Sequence, residues 1–246
     1  MEENDSIKAS DGLVAFFDIL GYKQILVNNH VREAASIVKS LLETVTSLQQ
    51  AAERARDSLK FPKLTHYLAF SDSILVYTNY SKIEQDRELP RGMFLAGCTA
   101  LCADLFAAGL PARGAIAKGE FYVEGATFAG KAIVEAYEFA NTMEMAGCIV
   151  IPTAESEFEN ISDVLNLRMR YEVPLKGHQR QELLTLNLCF TLLAGSSEDA
   201  RAFTIKQFGQ HNKNIGPEVI GKVNNTANFL VQARKEIVCT GLKTQP

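Results

Sequence analysis

The stretch Leu13-Val-Ala-Phe-Phe-Asp18-Ile-Leu-Gly-Tyr22 constrains this chain more than any other. An apolar run this short, rich in Phe and stopped by glycine, reads as a β-strand. A strand apolar on both faces belongs in the middle of a covered sheet. Its one carboxylate, Asp18, then lies where the strand leaves the core, and a buried carboxylate without a partner is costly there. It calls for a cation, and a metal ion is the usual one at such a position. The ordinary alternative is a helix N-cap.

The 246 residues, 47% of them hydrophobic, suffice to bury a full core. Residues 1–11 read as a polar tail and residues 12–246 as a single domain ending in helices. A net charge of -4 without a basic block argues against a nucleic-acid surface. Cys98, Cys102, Cys148, Cys189 and Cys239 show no zinc spacing; Cys98 and Cys102 fall on an apolar helical pattern and read as core thiols. The odd cysteine count, with no signal-like start, points to a reducing cytoplasm. No apolar run approaches the roughly 20 residues of a membrane span.

Apolar residues at helical spacing predict a long helix from Val31 to about Leu59, closed by Pro62. Leu64–Phe70 and Ile74–Tyr77 read as a hairpin with Asp72 at its tip, where a plain turn residue is the alternative. Ser81–Pro90 is charged and reads as a loop. A second helix carries Phe94 to Phe106 and ends before Gly109 and Pro111. Arg113–Lys118 is a strand, and Gly119–Val123 begins another or turns back. Gly125–Gly130 reads as a loop, and Lys131 to about Met145 as a helix with Ile133, Tyr137 and Ala140 inward. Ile149–Ile151 and Leu183–Phe190 read as strands, Ala154–Leu167 as mixed. Helices at about Ser197–Phe208 and Pro217–Lys235 close the chain. The order β-α-β-β-α-β is ferredoxin-like, so the fold class is α+β with an added C-terminal strand and helices.

Two carboxylates brought together from separate strands repel unless a divalent cation neutralises them. A dehalogenase-type phosphatase would need a second Asp two residues after Asp18, where Leu20 stands. Ser71 and Ser73 lie in no GxSxG context, and His30, His66, His178 and His211 form no metal spacing.

The constellation resembles the catalytic domain of the class III nucleotidyl cyclases. The family's Phe-x-Asp-Ile-x-Gly-Phe appears as Phe16-Phe17-Asp18-Ile19-Leu20-Gly21-Tyr22, and its hairpin Gly-Asp as Ser71-Asp72. Its Arg-x-Gly-Ile-x-x-Gly is similar to Arg113-Gly114-Ala115-Ile116-Ala117-Lys118-Gly119, and its late Lys-Gly to Lys176-Gly177. The resemblance implies a cyclase core in which Asp18 and Asp72, with the Ile19 carbonyl, hold two Mg²⁺ or Mn²⁺ ions. Phe17 and the turn Leu20-Gly21-Tyr22 would contact the nucleotide, the turn through backbone N–H groups to the β- and γ-phosphates. Its place before a helix suits an anion, and Lys176 would neutralise the triphosphate. One copy of the domain implies a head-to-tail homodimer.

Departures from the family refine this. Its purine-reading Lys and Asp fall at Leu68 and Thr127, and its transition-state Asn and Arg at Val134 and Glu138. The variants Asp-Ile-Leu-Gly, Phe-Ser-Asp-Ser and Gly-Lys-Ala-Ile-Val-Glu-Ala-Tyr-Glu look most like the stand-alone bacterial cyclases of Pycsar antiphage systems. That resemblance implies UTP or CTP as substrate and cyclic UMP or cyclic CMP as messenger. Tyr67, beside Leu68 on the same strand, would add bulk that shortens the base pocket; the alternatives are that alternation turns it to the opposite face and that both are ordinary strand packing residues. The alternatives are a catalytically inactive cyclase-like sensor or interaction module, and a different nucleotidyl transferase on a palm-like sheet.

Overall fold

The computed structural model describes residues 8–59, 65–79, 88–159, 161, 166–192 and 199–239. Pro62, Leu64 and the segment 81–87, read above as a helix stop, a strand start and a loop, lie outside these residues, as does Ser197. Strand β1 (Ser10–Ile19) starts two residues inside the stretch read as a tail. It pairs antiparallel with β3 (Ser73–Asn79) on one side and β4 (Ala112–Glu124) on the other. That central position follows from its two apolar faces, and Leu13 to Phe17 are all buried.

Helix α1 (Tyr22–Asn28) precedes the expected long helix α2 (Val31–Leu59). It escapes sequence reading because it buries only Ile25, while Leu26 and Val27 face solvent and leave no stripe. Strand β2 (His66–Phe70) forms the hairpin with β3. Helix α3 (Glu88–Ala107) starts inside the stretch read as a loop. By length and composition it is apolar enough to cross a membrane, which corrects the expectation that no run is. Here Phe94, Leu101 and Phe106 are fully buried, and α3 contacts β3, β4 and β6.

Strand β4 is one continuous strand that folds back on β5 (Thr127–Ala129), so a strand occupies the glycine-punctuated loop. Helix α4 (Lys131–Thr142) packs on β1 and β4. Its Ile133 and Ala140 point inward as expected, but Tyr137 is 50% exposed, its ring set edge-on against Phe16. Strand β6 (Gly147–Val150) runs parallel to β4 and leads into α5 (Pro152–Glu155).

Strand β7 (Arg168–Leu175) pairs with β8 (Gln179–Leu186). Pro174 is tolerated because β7 is an edge strand. Residues 187–190, read as strand, leave the sheet, and Cys189 opens α6 (Cys189–Leu192). Asp199 accepts from Arg201 N and Ala202 N and so fixes the start of α7 (Ala200–Gly209). Pro217 begins α8 (Pro217–Cys239). The strand order is β2-β3-β1-β4-β6-β8-β7, with β5 on β4. Its first four strands are the ferredoxin-like unit, and the remainder extends the sheet beyond β4.

Candidate active site

Asp18 is the penultimate residue of β1, and Asp72 the second residue of the Ser71–Asp72 turn between β2 and β3. Asp18 lies in register with Ser73, and the Ile19 N–H donates to the Asp72 carbonyl at 2.9 Å. Main-chain bonds therefore bring the two carboxylates to one edge of the sheet. Ser71 takes a φ of 55°, as short hairpin loops require to match strand twist.

Arg113 of β4 lies opposite Asp18 in register. Its Nε donates to Asp18 Oδ2 at 2.9 Å, while its Nη groups bond the carbonyl and side chain of Asn141 on α4. Burial pushes the Asp18 carboxyl above its ordinary range; the Arg113 guanidinium opposes this, the Asp72 charge adds to it and Lys176 draws it back. A carboxyl held high favours the folded state at low pH, a contribution lost as pH rises through the folded value. In Arg113→Met that carboxyl is expected to titrate higher still, because the main influence opposing burial is gone. An NMR titration of the Asp18 carboxyl carbon in metal-free protein checks this; an unchanged midpoint would contradict the pairing.

The donor set fits a divalent cation. Asp18 and Asp72 are hard oxygen ligands whose charges repel, and Arg113 engages one oxygen of Asp18. Among the described residues no third His, Cys, Asp or Glu joins them. Mg²⁺ or Mn²⁺ bound by one or two carboxylates fills its remaining positions with water and substrate oxygens.

The other expected contacts separate into two groups. Tyr22 is half-buried, and its hydroxyl is pushed up by burial and then by the Asp72 charge, which places it at this edge. Gly21, with φ 79°, caps α1. Lys176 opens the turn Lys176–His178 between β7 and β8 and lines a cleft of 370 Å³ with Glu144, His178 and Asn225. The Met143–Leu175 bridge ties that turn to the end of α4, close enough for Lys176 to act on Asp18.

Three contacts need correction. Phe17 is wholly buried and its ring lies over Gly114, where a Cβ would come within 2.5 Å of Phe17 Cδ1; it is a core residue. The Leu20 N–H is committed to the Pro111 carbonyl at 2.8 Å and is not available to a phosphate. Strand alternation puts Tyr67 on the face opposite Leu68 and Phe70, where its hydroxyl lodges against Gly97 of α3 and its N–H donates to Gln49 of α2. Tyr67 therefore packs the sheet against α2 and α3. Helix α1, at seven residues, also offers little of the anion preference expected of a helix start.

Arg113 and Asn141 are the site residues that sequence reading missed. Arg113 stands inside a recognised motif, but only strand register reveals that it faces Asp18. The roomier cleft, 540 Å³, lies at the other end of β4 among Lys118, Gly130 and Glu135, away from both aspartates.

No family model and no curated protein matches the chain. Solved structures do. The adenylyl cyclase CyaB from P. aeruginosa superposes with a TM-score of 0.54 at 13% identity, covering 73% of this chain and 94% of its own. A bacterial light-regulated adenylyl cyclase gives 0.50 at 12%, covering 74% and 92%. A further structure of a bacterial light-regulated adenylyl cyclase gives 0.55 at 10%, covering 85% and 59%. The mixed sheet, its strand order and these superpositions establish a class III nucleotidyl cyclase-like fold.

Proposed function

We propose that the chain is a pyrimidine nucleotide cyclase, converting UTP or CTP into the 3′,5′-cyclic monophosphate and pyrophosphate. The observation that carries the reading is the pairing of Asp18 and Asp72 through the Ile19–Asp72 main-chain bond, with Arg113 and Lys176 at the same sheet edge. Mg²⁺ or Mn²⁺ held by Asp18, Asp72 and the Ile19 carbonyl would activate the ribose 3′-hydroxyl and offset charge developing on the phosphates. The 3′-hydroxyl would give up its proton to solvent as its oxygen attacks the α-phosphorus, the bond from that phosphorus to the α–β bridging oxygen would break, and pyrophosphate would leave. Arg113 favours the ionised form of Asp18 and aims it, and Lys176 supplies positive charge beside the triphosphate.

Pyrimidine preference rests on Leu68 and Thr127, which lack the charged groups of a purine reader. A site built around polar partners discriminates strongly, and those partners are missing here. The antiphage messenger role rests on the Pycsar-like motifs, and the cytoplasmic setting on the odd cysteine count. The proposal includes a head-to-tail homodimer, supported by the exposed α4 face of Val134 (52%) and Tyr137.

One observation favours a second reading. Val134 and Glu138 both lie exposed on α4 where the family places Asn and Arg, as an inactive cyclase-like binding module would allow. Equal concentrations of the four ribonucleoside triphosphates with Mn²⁺ separate the readings. Cyclic UMP or cyclic CMP is expected as the main product, from a species that light scattering measures as a dimer. Cyclic AMP or cyclic GMP in excess would remove the pyrimidine assignment, and binding without any product would favour the second reading.

A further inference from the structure

The connector between α7 and α8 is tied to the site edge from below. Asn28 Nδ2 donates to the Asn212 carbonyl at 2.7 Å, Asn29 Nδ2 to the His211 carbonyl at 2.9 Å, and Asn214 N to Gln24 Oε1 at 2.7 Å. These bonds hold the connector to α1. On its other side His211 Nε2 donates to the Ala108 carbonyl at 2.7 Å, in the turn between α3 and β4. Between the two lies Lys213, only 7% exposed. Its Nζ donates to the Gly109 carbonyl at 2.6 Å, and its stem runs beneath Gly21, where a Cβ would sit 3.0 Å from Lys213 Cδ.

We infer that Lys213 is a positioning residue of the proposed nucleotide site, a strut that sets the β1–α1 turn against the α3–β4 turn. The inference rests on the nucleotide-site reading. Two bonds already link these turns' surroundings: Leu20 N–H to the Pro111 carbonyl, and Asp18 to Arg113. Lys213 adds the support under Gly21 itself, the residue whose left-handed backbone turns the chain from Asp18 toward Tyr22. A side chain at position 21 would press tightly on the strut and strain that φ, so the glycine and the lysine belong together. Burial lowers the Lys213 amine to about 8, so it is still mainly an ammonium at neutral pH. Among the described residues its one hydrogen-bond acceptor is the Gly109 carbonyl, and a buried cation so sparsely partnered is costly, which argues for a role beyond packing. The strut comes from the segment that follows the last sheet strand.

The test uses full-length protein with Mn²⁺ and inorganic tripolyphosphate as the probe, followed by calorimetry. Lys213→Met keeps the stem and removes the donor. Tripolyphosphate is expected to bind at least tenfold more weakly, while Mn²⁺ affinity without tripolyphosphate and the melting temperature stay near wild type. A merely structural lysine would move the melting temperature instead. Gln24→Ala, which frees the Asn214 N–H, should weaken binding in the same direction and keeps the test usable should Lys213→Met fail to fold. Binding within twofold of wild type in both variants overturns the inference and leaves the nucleotide site standing. If wild-type protein binds neither tripolyphosphate nor any ribonucleoside triphosphate, the site reading fails and the inference with it.

Discussion

Asp72→Asn is expected to lower turnover with Mn²⁺ by at least about a thousandfold, close to 4 kcal/mol of transition-state stabilisation, with the fold retained. The substitution is near-isosteric and removes only charge. The bond from Ile19 N–H goes to the residue 72 carbonyl, which the substitution leaves in place. The hairpin should therefore keep its position, and circular dichroism and melting should match wild type. Calorimetric Mn²⁺ binding should fall with the activity, because half of the protein carboxylate set is gone. Asp18→Asn is a less clean probe, since it also strips Arg113 of its charged partner. An Asp72→Asn protein that kept most of its activity would end the two-carboxylate assignment.

Gly114→Val should be the most damaging small substitution near the site. The added Cβ would stand 2.5 Å from the Phe17 ring and 3.0 Å from the Phe16 carbonyl, in the centre of the sheet. Overpacking of this kind costs about 3 kcal/mol at the upper end of its usual range. For a chain of this length that is a fall of roughly 6–12 °C in melting temperature. Because Arg113 precedes Gly114, the shift should also disturb the Asp18 pair. Phe17→Leu, itself destabilising, should recover part of the loss when combined with Gly114→Val, since the two side chains compete for one space. Additive losses in the double variant would show that the ring does not occupy that space.

The contrast between Asp18 and Arg113 shows what a one-dimensional reading can reach. Asp18 is legible because an apolar run must be buried, and the one charge in it is forced to the run's end. Asp72 is legible because two extended segments flank a pair of turn residues. Arg113 meets Asp18 only through the β1–β4 register, and register depends on the paired strand as much as on the strand itself. The same limit explains Tyr67. Alternation separates it from Leu68, but nothing local says which face of the sheet carries α3. Short elements fail for another reason. Helix α1 has one buried residue and so no period. Strand β7 does alternate, with Met169, Tyr171 and Val173 buried, yet its charges and Pro174 hide the pattern. Lys213 is the extreme case: a lysine in a polar connector, buried only because distant turns close over it.

The connector's bonds also bear on how the protein comes into being at the ribosome. Asn214 and Gln24 lie 190 residues apart, and Asn212 and Asn28 are separated by 184. The four strands that bring Asp18, Asp72 and Arg113 together are complete once β4 has emerged. The segment that braces them is still untranslated at that moment. With synthesis at about 5–20 residues per second, seconds separate the translation of β4 from that of the connector. Completion of this edge of the molecule thus waits on the connector between α7 and α8, not only on the strands that form it.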